Sequence, residues 1–122
     1  MYVEDNRINA LLFGEIVQLN GSIELRVAET AAEALEAARE FKPQVLVLDA
    51  NLPDMSGYDL LPRLRALPGL ELVPAFMCSA DVTPQHLQRA AAAGFAGFWT
   101  KPIDIKRLMG DLTAIVAESS SR

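Results

Sequence analysis

Strand-like and helix-like segments alternate strictly along this chain, and this alternation constrains its fold more than any other feature of the sequence. Apolar runs predict strands at residues 1–3, 23–27, 45–48, 73–78 and 95–99, and apolar residues at helical spacing follow each of them. The run at 45–48 is apolar throughout, as in a parallel strand covered on both faces. We therefore predict one α/β domain over residues 1–118, a parallel sheet with helices on both faces, followed by a flexible tail at 119–122.

Three residues mark where predicted helices begin or end, and a proline constrains a fourth position, inside the third helix. Thr30 and Thr83 precede helical spacing and should act as N-caps of the second and fourth helices. Gly94 should end the fourth helix, because glycine readily adopts the left-handed conformation that follows many helices. Pro62 lies inside the third predicted helix, residues 58–67, where it fits only if it belongs to the first turn.

Apolar spacing also predicts which faces are buried. In the first helix, residues 6–19, which Asn20-Gly21 should end, the stripe that faces the core is Ile8, Leu11, Leu12, Ile16 and Leu19. In the last helix it is Ile105, Leu108, Met109, Leu112, Ile115 and Val116. The second strand should face inward at Ile23, Leu25 and Val27. Phe98 and Trp99 are adjacent on the short last strand, so one of the two should face outward.

Charge and composition exclude several classes of protein. The chain carries 11 Lys and Arg against 16 Asp and Glu, which argues against a broad surface for nucleic acid or anionic membrane. No apolar run is long enough to span a membrane, and the first residues lack the order of a secretory signal. The single cysteine, Cys78, excludes an internal disulfide and should be buried beside Phe76 and Met77. We expect a cytoplasmic protein.

Polar side chains follow four of the predicted strands at the same end. Glu4 and Asp5 follow the first strand, Asp49 the third, Ser79 the fourth and Lys101 the fifth. This end of an open parallel sheet is where ligands bind. Each residue alone has an ordinary interpretation, as part of a helix cap, a turn or a solvated loop. Their coincidence favours a common site.

Three carboxylates meeting at one edge would repel one another. Two unit charges about 4 Å apart interact by roughly 4 kcal/mol at an effective dielectric near 20, and Lys101 alone cannot neutralise three. Oxygen ligands without His or Cys suit Mg²⁺, which substrate phosphate oxygens often complete. Asp49 can then act as a nucleophile toward a phosphoryl donor, with Ser79 and Lys101 contacting the transferred oxygens.

Four motifs together resemble response-regulator receiver domains. They are Tyr2-Val3-Glu4-Asp5-Asn6, Val47-Leu48-Asp49 with Leu52-Pro53 and Ser56-Gly57, Cys78-Ser79-Ala80, and Thr100-Lys101-Pro102-Ile103. Their order and spacing match over essentially the whole chain. The resemblance implies a flavodoxin-like receiver fold with strand order 2-1-3-4-5, which accepts phosphate from a histidine kinase or a histidine phosphotransfer domain. The residues of the first and last of these motifs are most similar to those in receiver domains of hybrid sensor kinases.

The resemblance also implies a role for each matching site residue. Asp49 would be the phosphoacceptor. Asp5, Asp49 and the backbone carbonyl of Asn51 would bind Mg²⁺, and Glu4 would hold the ion through water. Lys101 would hold the phosphoryl group together with Ser79.

A conformational switch is implied as well. Ser79 would move toward the phosphate and Phe98 would rotate inward, which alters the surface of the fourth helix, fifth strand and fifth helix. The family more often has tyrosine at this aromatic position, so Phe98 lacks the phenolic hydroxyl and its hydrogen bond. The same surface is a candidate homodimer interface.

Two other functions are alternatives to a working phosphorelay receiver. A phosphorylation-independent interaction module would keep the fold and bind partners constitutively, but the complete set of acids, hydroxyl and lysine favours the receiver. The receiver would phosphorylate and dephosphorylate itself rather than turn over a substrate. A flavin carrier or other α/β enzyme is disfavoured, because residues 5–8 contain no glycine with which to cradle a phosphate.

Overall fold

The computed structural model describes residues 1–18, 25–80, 83–101 and 105–120, with the side chains of these residues except 16, 105, 112 and 115–120. Strands and helices alternate in these ranges, as predicted. The elements are β1 (Tyr2–Val3), α1 (Arg7–Gln18), β2 (Val27–Ala28), α2 (Ala31–Glu40), β3 (Leu46–Asp49), α3 (Gly57–Arg65), β4 (Ala75–Ser79), α4 (Pro84–Ala93), β5 (Gly97–Thr100) and α5 (Ile105–Ser120).

The strands form one parallel sheet in the order β2-β1-β3-β4-β5. This order confirms both the predicted parallel sheet and the topology that the resemblance implied. Leu48 of β3 lies opposite Val3 of β1 on one side and Met77 of β4 on the other. Because all strands run in the same direction, their carboxyl ends meet along one edge of the sheet.

Two apolar clusters cover the two faces of the sheet. Leu46 and Leu48 belong to the cluster formed with residues of α2, α3 and α4. Val47, between them, belongs to the cluster formed with residues of α1 and α5. Alternate residues of a strand point to opposite faces, so a strand covered on both sides must be apolar at every position. This explains the continuous apolar run at 45–48.

The predicted helix ends are confirmed at three positions. The side-chain oxygens of Thr30 and Thr83 each accept a hydrogen bond from the N–H of the third helical residue. Gly94 follows α4 with a φ of 98°, in the left-handed region. Pro62 lies beyond the first turn of α3, so the prediction that it fits this helix only in the first turn was wrong. It is exposed, and the buried leucines on the other face of α3 stabilise the helix despite the lost N–H donor.

The buried face of α1 differs from the prediction. Three of the five residues expected in the stripe are exposed, by 70% at Ile8, 69% at Leu11 and 54% at Leu12, whereas Phe13 and Val17 are buried. The side chain of Ile16 and residue Leu19 lie outside the described set. The prediction was wrong because α1 carries apolar residues on more than one face, and spacing alone does not select among them. The larger aromatic side chain of Phe13 packs against the sheet instead.

The second strand is shorter than predicted. β2 pairs with β1 through Val27 and Ala28. Ala28 is buried and Val27 is 45% exposed, so the inward orientation predicted for Val27 was wrong. Leu25 packs against the cluster formed with α1 and α5, as predicted. Residues 19–24, which include Leu19, the Asn20-Gly21 helix end and Ile23, lie outside the described residues.

Phe98 and Trp99 are both buried, so the prediction that one of them faces outward was wrong. Helices cover both faces of the sheet at β5, which leaves neither side to solvent. Trp99 stacks on Phe76 with ring centroids 4.6 Å apart. Its Nε1–H donates to Oδ2 of Asp111 on α5 at 2.8 Å.

Helix α5 runs to Ser120 and thus includes the first two residues of the predicted tail. Leu108 is fully buried and Met109 partly buried, as predicted; the other four side chains of that stripe lie outside the described set. Residues 102–104 and 121–122 also fall outside it, and the domain end at residue 118 stays a prediction. Among the helices described, none combines the length and apolar character needed to cross a bilayer.

Candidate functional site

The carboxyl ends of four strands bring the predicted polar residues to one edge of the sheet. Glu4 follows β1, and Asp49 is the last residue of β3. Ser79 is the last residue of β4, where it lies opposite Thr100 of β5. The backbone N–H of Lys101 donates to the carbonyl of Ser79 at 3.0 Å, which fixes the lysine at this edge. The parallel register therefore places side chains from distant parts of the chain next to one another.

Lys101 connects the two buried carboxylates of this site. Its Nζ donates to Oε1 of Glu4 at 2.6 Å and to Oδ2 of Asp49 at 2.9 Å. Glu4 is fully buried, and Asp49 is 7% exposed. Two carboxylates removed from water need a counter-charge, and within the described residues Lys101 is the cation that supplies it.

Three carboxylates lie close enough to share a cation. One oxygen from each of Glu4, Asp5 and Asp49 falls within 4.8 Å of the others. Asp5 and Asn51 are exposed beside them. Oε2 of Glu4 is buried and has no hydrogen-bond partner among the described residues. A buried carboxylate oxygen without a partner is costly, so the donor set fits an oxygen-preferring divalent cation or a water bound to one.

The charges of the site are unevenly distributed over its groups. Burial, followed by the neighbouring Asp49, raises the pKa of Glu4 to about 7. Burial acts on Asp49 in the same direction, but hydrogen bonds with Glu4, Lys101 and the N–H of Asn51 hold its pKa below the usual range. Burial opposes the charge of Lys101, yet its bonds to both carboxylates raise its pKa. Near neutral pH, Asp49 is a carboxylate, Lys101 is an ammonium, and Glu4 titrates.

Two residues that were not predicted as part of the site contact Glu4. Nδ2 of Asn9 donates to Oε1 of Glu4 at 2.8 Å, and the hydroxyl of Tyr2 lies 3.5 Å from the same oxygen. Asn9 is on the inner side of the first turn of α1 and would have been recognised as a polar residue among apolar ones had the buried face been predicted correctly. Tyr2 lies on the buried first strand, where its hydroxyl needs a partner.

Cys78 is buried next to the site, as predicted. It lies opposite Asp49 in the sheet, and its carbonyl accepts a hydrogen bond from the N–H of Ala50 at 3.2 Å. Burial raises the pKa of its thiol to about 12. The thiol is therefore protonated at neutral pH and does not add a ligand to the carboxylate set.

Comparison with known proteins decides the family. A family model described as the response regulator receiver domain matches residues 1–113. The chain belongs to the response regulator receiver domain family. This membership confirms the resemblance carried by the four sequence motifs and places the chain among the proteins of two-component signalling.

Relatives and solved structures agree with this receiver assignment. The polar-differentiation response regulator DivK of Brucella anthropi is 27% identical over 98% of this chain and 96% of its own length. The receiver domain of sensor histidine kinase PA1611 from Pseudomonas aeruginosa PAO1, with a magnesium ion coordinated in its active site cleft, has a TM-score of 0.84 at 21% identity, covering 95% of this chain and 94% of that one. Vibrio cholerae chemotaxis protein CheY4 has a TM-score of 0.82 at 24% identity, covering 93% and 94%. At these identities the two structures establish the fold alone.

The two predicted switch residues of this receiver domain are both buried. Ser79 lies on the rim, one strand away from Asp49. Phe98 packs in the cluster formed with α2, α3 and α4, opposite Met77 of β4. Ser79 therefore lies at the same edge of the sheet as the candidate site, and Phe98 packs beneath the neighbouring helices. A coupled movement of the two stays a prediction.

Proposed function

We propose that this receiver domain accepts a phosphoryl group on Asp49 from the phosphohistidine of a histidine kinase or a histidine phosphotransfer domain, with Mg²⁺ as cofactor. The observation that carries the proposal is the ion-pair arrangement of Glu4, Lys101 and Asp49, in which one buried oxygen of Glu4 has no hydrogen-bond partner in the described part of the chain. A purely structural ion pair would satisfy both of its carboxylates. This one retains binding capacity at the edge where ligands of open sheets bind.

Asp5, Asp49 and the backbone carbonyl of Asn51 would hold Mg²⁺, with Glu4 acting through water. The clustering of the three carboxylate oxygens within 4.8 Å supports this assignment. When bound, Mg²⁺ would neutralise the charge of the transferring phosphoryl oxygens. The magnesium ion reported for the PA1611 receiver domain supports the choice of metal.

The side chains of the site suit an in-line transfer. Asp49 is ionised because its pKa is held below the usual range, so a carboxylate oxygen can attack phosphorus without first losing a proton. The new O–P bond forms as the N–P bond to the donor histidine breaks, and the imidazole leaves with the electron pair. Lys101 already donates a hydrogen bond to Asp49, and its ammonium can donate to an oxygen of the transferred phosphoryl group. The hydroxyl of Ser79 can donate to a second phosphoryl oxygen.

Phosphorylation would then change the surface formed by α4, β5 and α5. Ser79 would follow the phosphoryl group, and the ring of Phe98 would adjust in the space that Ser79 vacates. Without a phenolic hydroxyl, Phe98 reports this change through packing alone. The same surface would bind the downstream partner or a second copy of the chain.

Intact mass measured after incubation with acetyl phosphate and Mg²⁺ tests the proposal. We expect the wild-type chain to gain the mass of one phosphoryl group, and Asp49→Asn to gain none. Asp59→Asn is the matched control, since Asp59 is an exposed aspartate on α3 outside the carboxylate set, and it should label like wild type. Label persisting in Asp49→Asn would refute the site. A wild-type chain without label would favour the phosphorylation-independent module instead.

A further inference from the structure

Asp54 ties the loop after the candidate phosphoacceptor to a different helix. It lies between β3 and α3, and its Oδ1 and Oδ2 accept hydrogen bonds from the N–H groups of Ala31 and Ala32 at 2.9 and 3.0 Å. These are the first two residues of α2, whose N–H groups have no partner inside the helix. The side chain of the N-cap residue Thr30 accepts a hydrogen bond from the N–H of Glu33. The N–H groups of Ala31 and Ala32 are therefore available to Asp54.

The two bonds form a specific carboxylate clamp on α2. Both oxygens are used, and they sit at the positive end of the helix dipole. The N–H of Ala31, with further backbone donors, lowers the pKa of Asp54 although the side chain is exposed. The carboxylate is therefore charged, and held, throughout the physiological range.

The loop that Asp54 anchors leads directly to the site. Asn51 and Ser56 form an antiparallel bridge, and the N–H of Leu52 donates to the carbonyl of Met55 at 3.2 Å, so the loop is a closed turn. Asp54 stands at the tip of this turn. At the inner end, the N–H of Asn51 donates to Oδ1 of Asp49 at 3.1 Å. The tip is thus clamped to α2, while the base of the turn carries the predicted metal-binding carbonyl.

We infer that Asp54 is a positioning residue, which holds the turn so that the carbonyl of Asn51 faces the carboxylates of Asp5 and Asp49. The inference rests on the proposed function, because it is the cation of that site that the carbonyl would bind. Asp54 would act through Asn51, because the hydrogen bonds described between its side chain and other elements go to Ala31 and Ala32 of α2 rather than to the carboxylates of the site. Partners of metal ligands commonly act in this way, since they fix the direction of the ligand atom.

A plain helix cap is the competing explanation, and the chain offers a matched control. Thr30→Ala removes one capping bond from the same end of α2 without touching the turn. If Asp54 served only to stabilise α2, then Thr30→Ala and Asp54→Ala would have the same consequences. If Asp54 positions the turn, only Asp54→Ala should weaken Mg²⁺ binding at the site.

The experiment uses the full chain as wild type, Asp54→Ala, Asp54→Asn and Thr30→Ala, well below their melting temperatures. Calorimetric titration with Mg²⁺ alone should give an affinity about tenfold weaker for Asp54→Ala and unchanged for Thr30→Ala. Asp54→Asn, which keeps one acceptor oxygen, should recover part of the loss. In the metal-free protein, amide exchange at Asn51 and Leu52 should accelerate in Asp54→Ala but not in Thr30→Ala.

Two outcomes would overturn the inference while leaving the proposed function intact. In the first, the wild type binds Mg²⁺ and is phosphorylated by acetyl phosphate, and Asp54→Ala binds Mg²⁺ with the same affinity. The other is an equal loss of affinity in Thr30→Ala. A wild-type chain that takes up neither Mg²⁺ nor a phosphoryl group would instead overturn the proposed function, and this inference with it.

Discussion

The ammonium of Lys101 lies 2.6 Å from Oε1 of Glu4, a carboxylate that is fully buried. The two residues are 97 positions apart, and the sheet brings them together at its edge. The same ammonium reaches Asp49, so one positive charge holds two buried negative ones. Removing it leaves both carboxylates without a counter-charge, which gives the first prediction.

Lys101→Ala should destabilise the metal-free protein by about 2 kcal/mol, between the values typical of exposed and fully buried pairs. Urea unfolding without Mg²⁺ measures this loss. The control is Arg7→Ala, which removes an exposed pair with Glu29 at 3.0 Å and should cost less than about 1 kcal/mol. Equal losses in the two variants would contradict the role of Lys101 as a buried counter-charge.

The raised pKa of Glu4 predicts a pH dependence of stability. Its pKa moves from 4.5 to about 7 on folding, so the folded state holds the proton more tightly than the unfolded chain. The stabilising contribution is therefore complete below pH 4.5 and is lost as pH rises through about 7. The lowered pKa of Asp49 acts in the opposite sense, but below 3.8, outside this window. The buried amino group of Met1 acts in the opposite sense inside the window, because burial lowers its pKa from 8.0 to about 5. The contribution of Glu4 is therefore measured as the difference between wild type and Glu4→Gln.

We expect the unfolding free energy of the metal-free wild type, relative to that of Glu4→Gln, to fall by on the order of 2 to 3 kcal/mol across this window. Glu15→Gln, an exposed change on α1, is the control and should keep the wild-type profile. Thermal unfolding over a pH series measures it. Parallel profiles for wild type and Glu4→Gln would show that Glu4 does not titrate in this window.

Gly57→Ala should disturb the candidate site directly. A Cβ at Gly57 would lie 2.3 Å from the carbonyl oxygen of Asp49, so either the first turn of α3 or the end of β3 must move. We expect a loss of roughly 1 to 3 kcal/mol and slower phosphorylation by acetyl phosphate. Gly110→Ala is the control, because no heavy atom of the described residues, apart from its chain neighbours and the nearby backbone of α5, lies within 4 Å of its added Cβ. That change on α5 should stabilise the chain by about 0.5 to 1 kcal/mol.

The orientation of α1 can be tested by two substitutions, one on the buried face of the helix and one on the exposed face. Phe13 is buried and packs on Tyr2 with ring centroids 4.1 Å apart, so Phe13→Ala should cost about 3 to 5 kcal/mol. Leu11 is exposed, and Leu11→Ala should change stability by less than about 0.5 kcal/mol. Chemical denaturation of both variants decides the matter. A larger loss for Leu11→Ala would support the face predicted from spacing.

The parallel sheet and the polar composition of its edge could be predicted because they depend on strong local signals, whereas the strand order was implied only by the resemblance to receiver domains. The apolar run ending at Asp49 is a parallel strand wherever it lies in the sheet, and the edge then collects the polar residues that follow such strands. Ser79 and Lys101 are placed by the same rule. Their distances could not be predicted, since those depend on the register between strands.

Two features were beyond local sequence reasoning. The face of α1 depends on which of two apolar stripes packs better against the sheet, and Phe13 decides that through contacts with residues far along the chain. The clamp made by Asp54 joins positions 22 and 23 residues apart, through backbone N–H groups that every residue carries. Nothing in the residue types of Ala31 and Ala32 marks them as its partners.

The burial of Trp99 provides the chain with an internal optical probe. It is the only tryptophan, stacked on Phe76 and bonded to Asp111, and its strand continues within two residues into Lys101. Indole emission is sensitive to nearby charge and to the loss of such a bond. The proposed cation uptake and phosphorylation should therefore be measurable in real time by intrinsic fluorescence, without a dye or an engineered label.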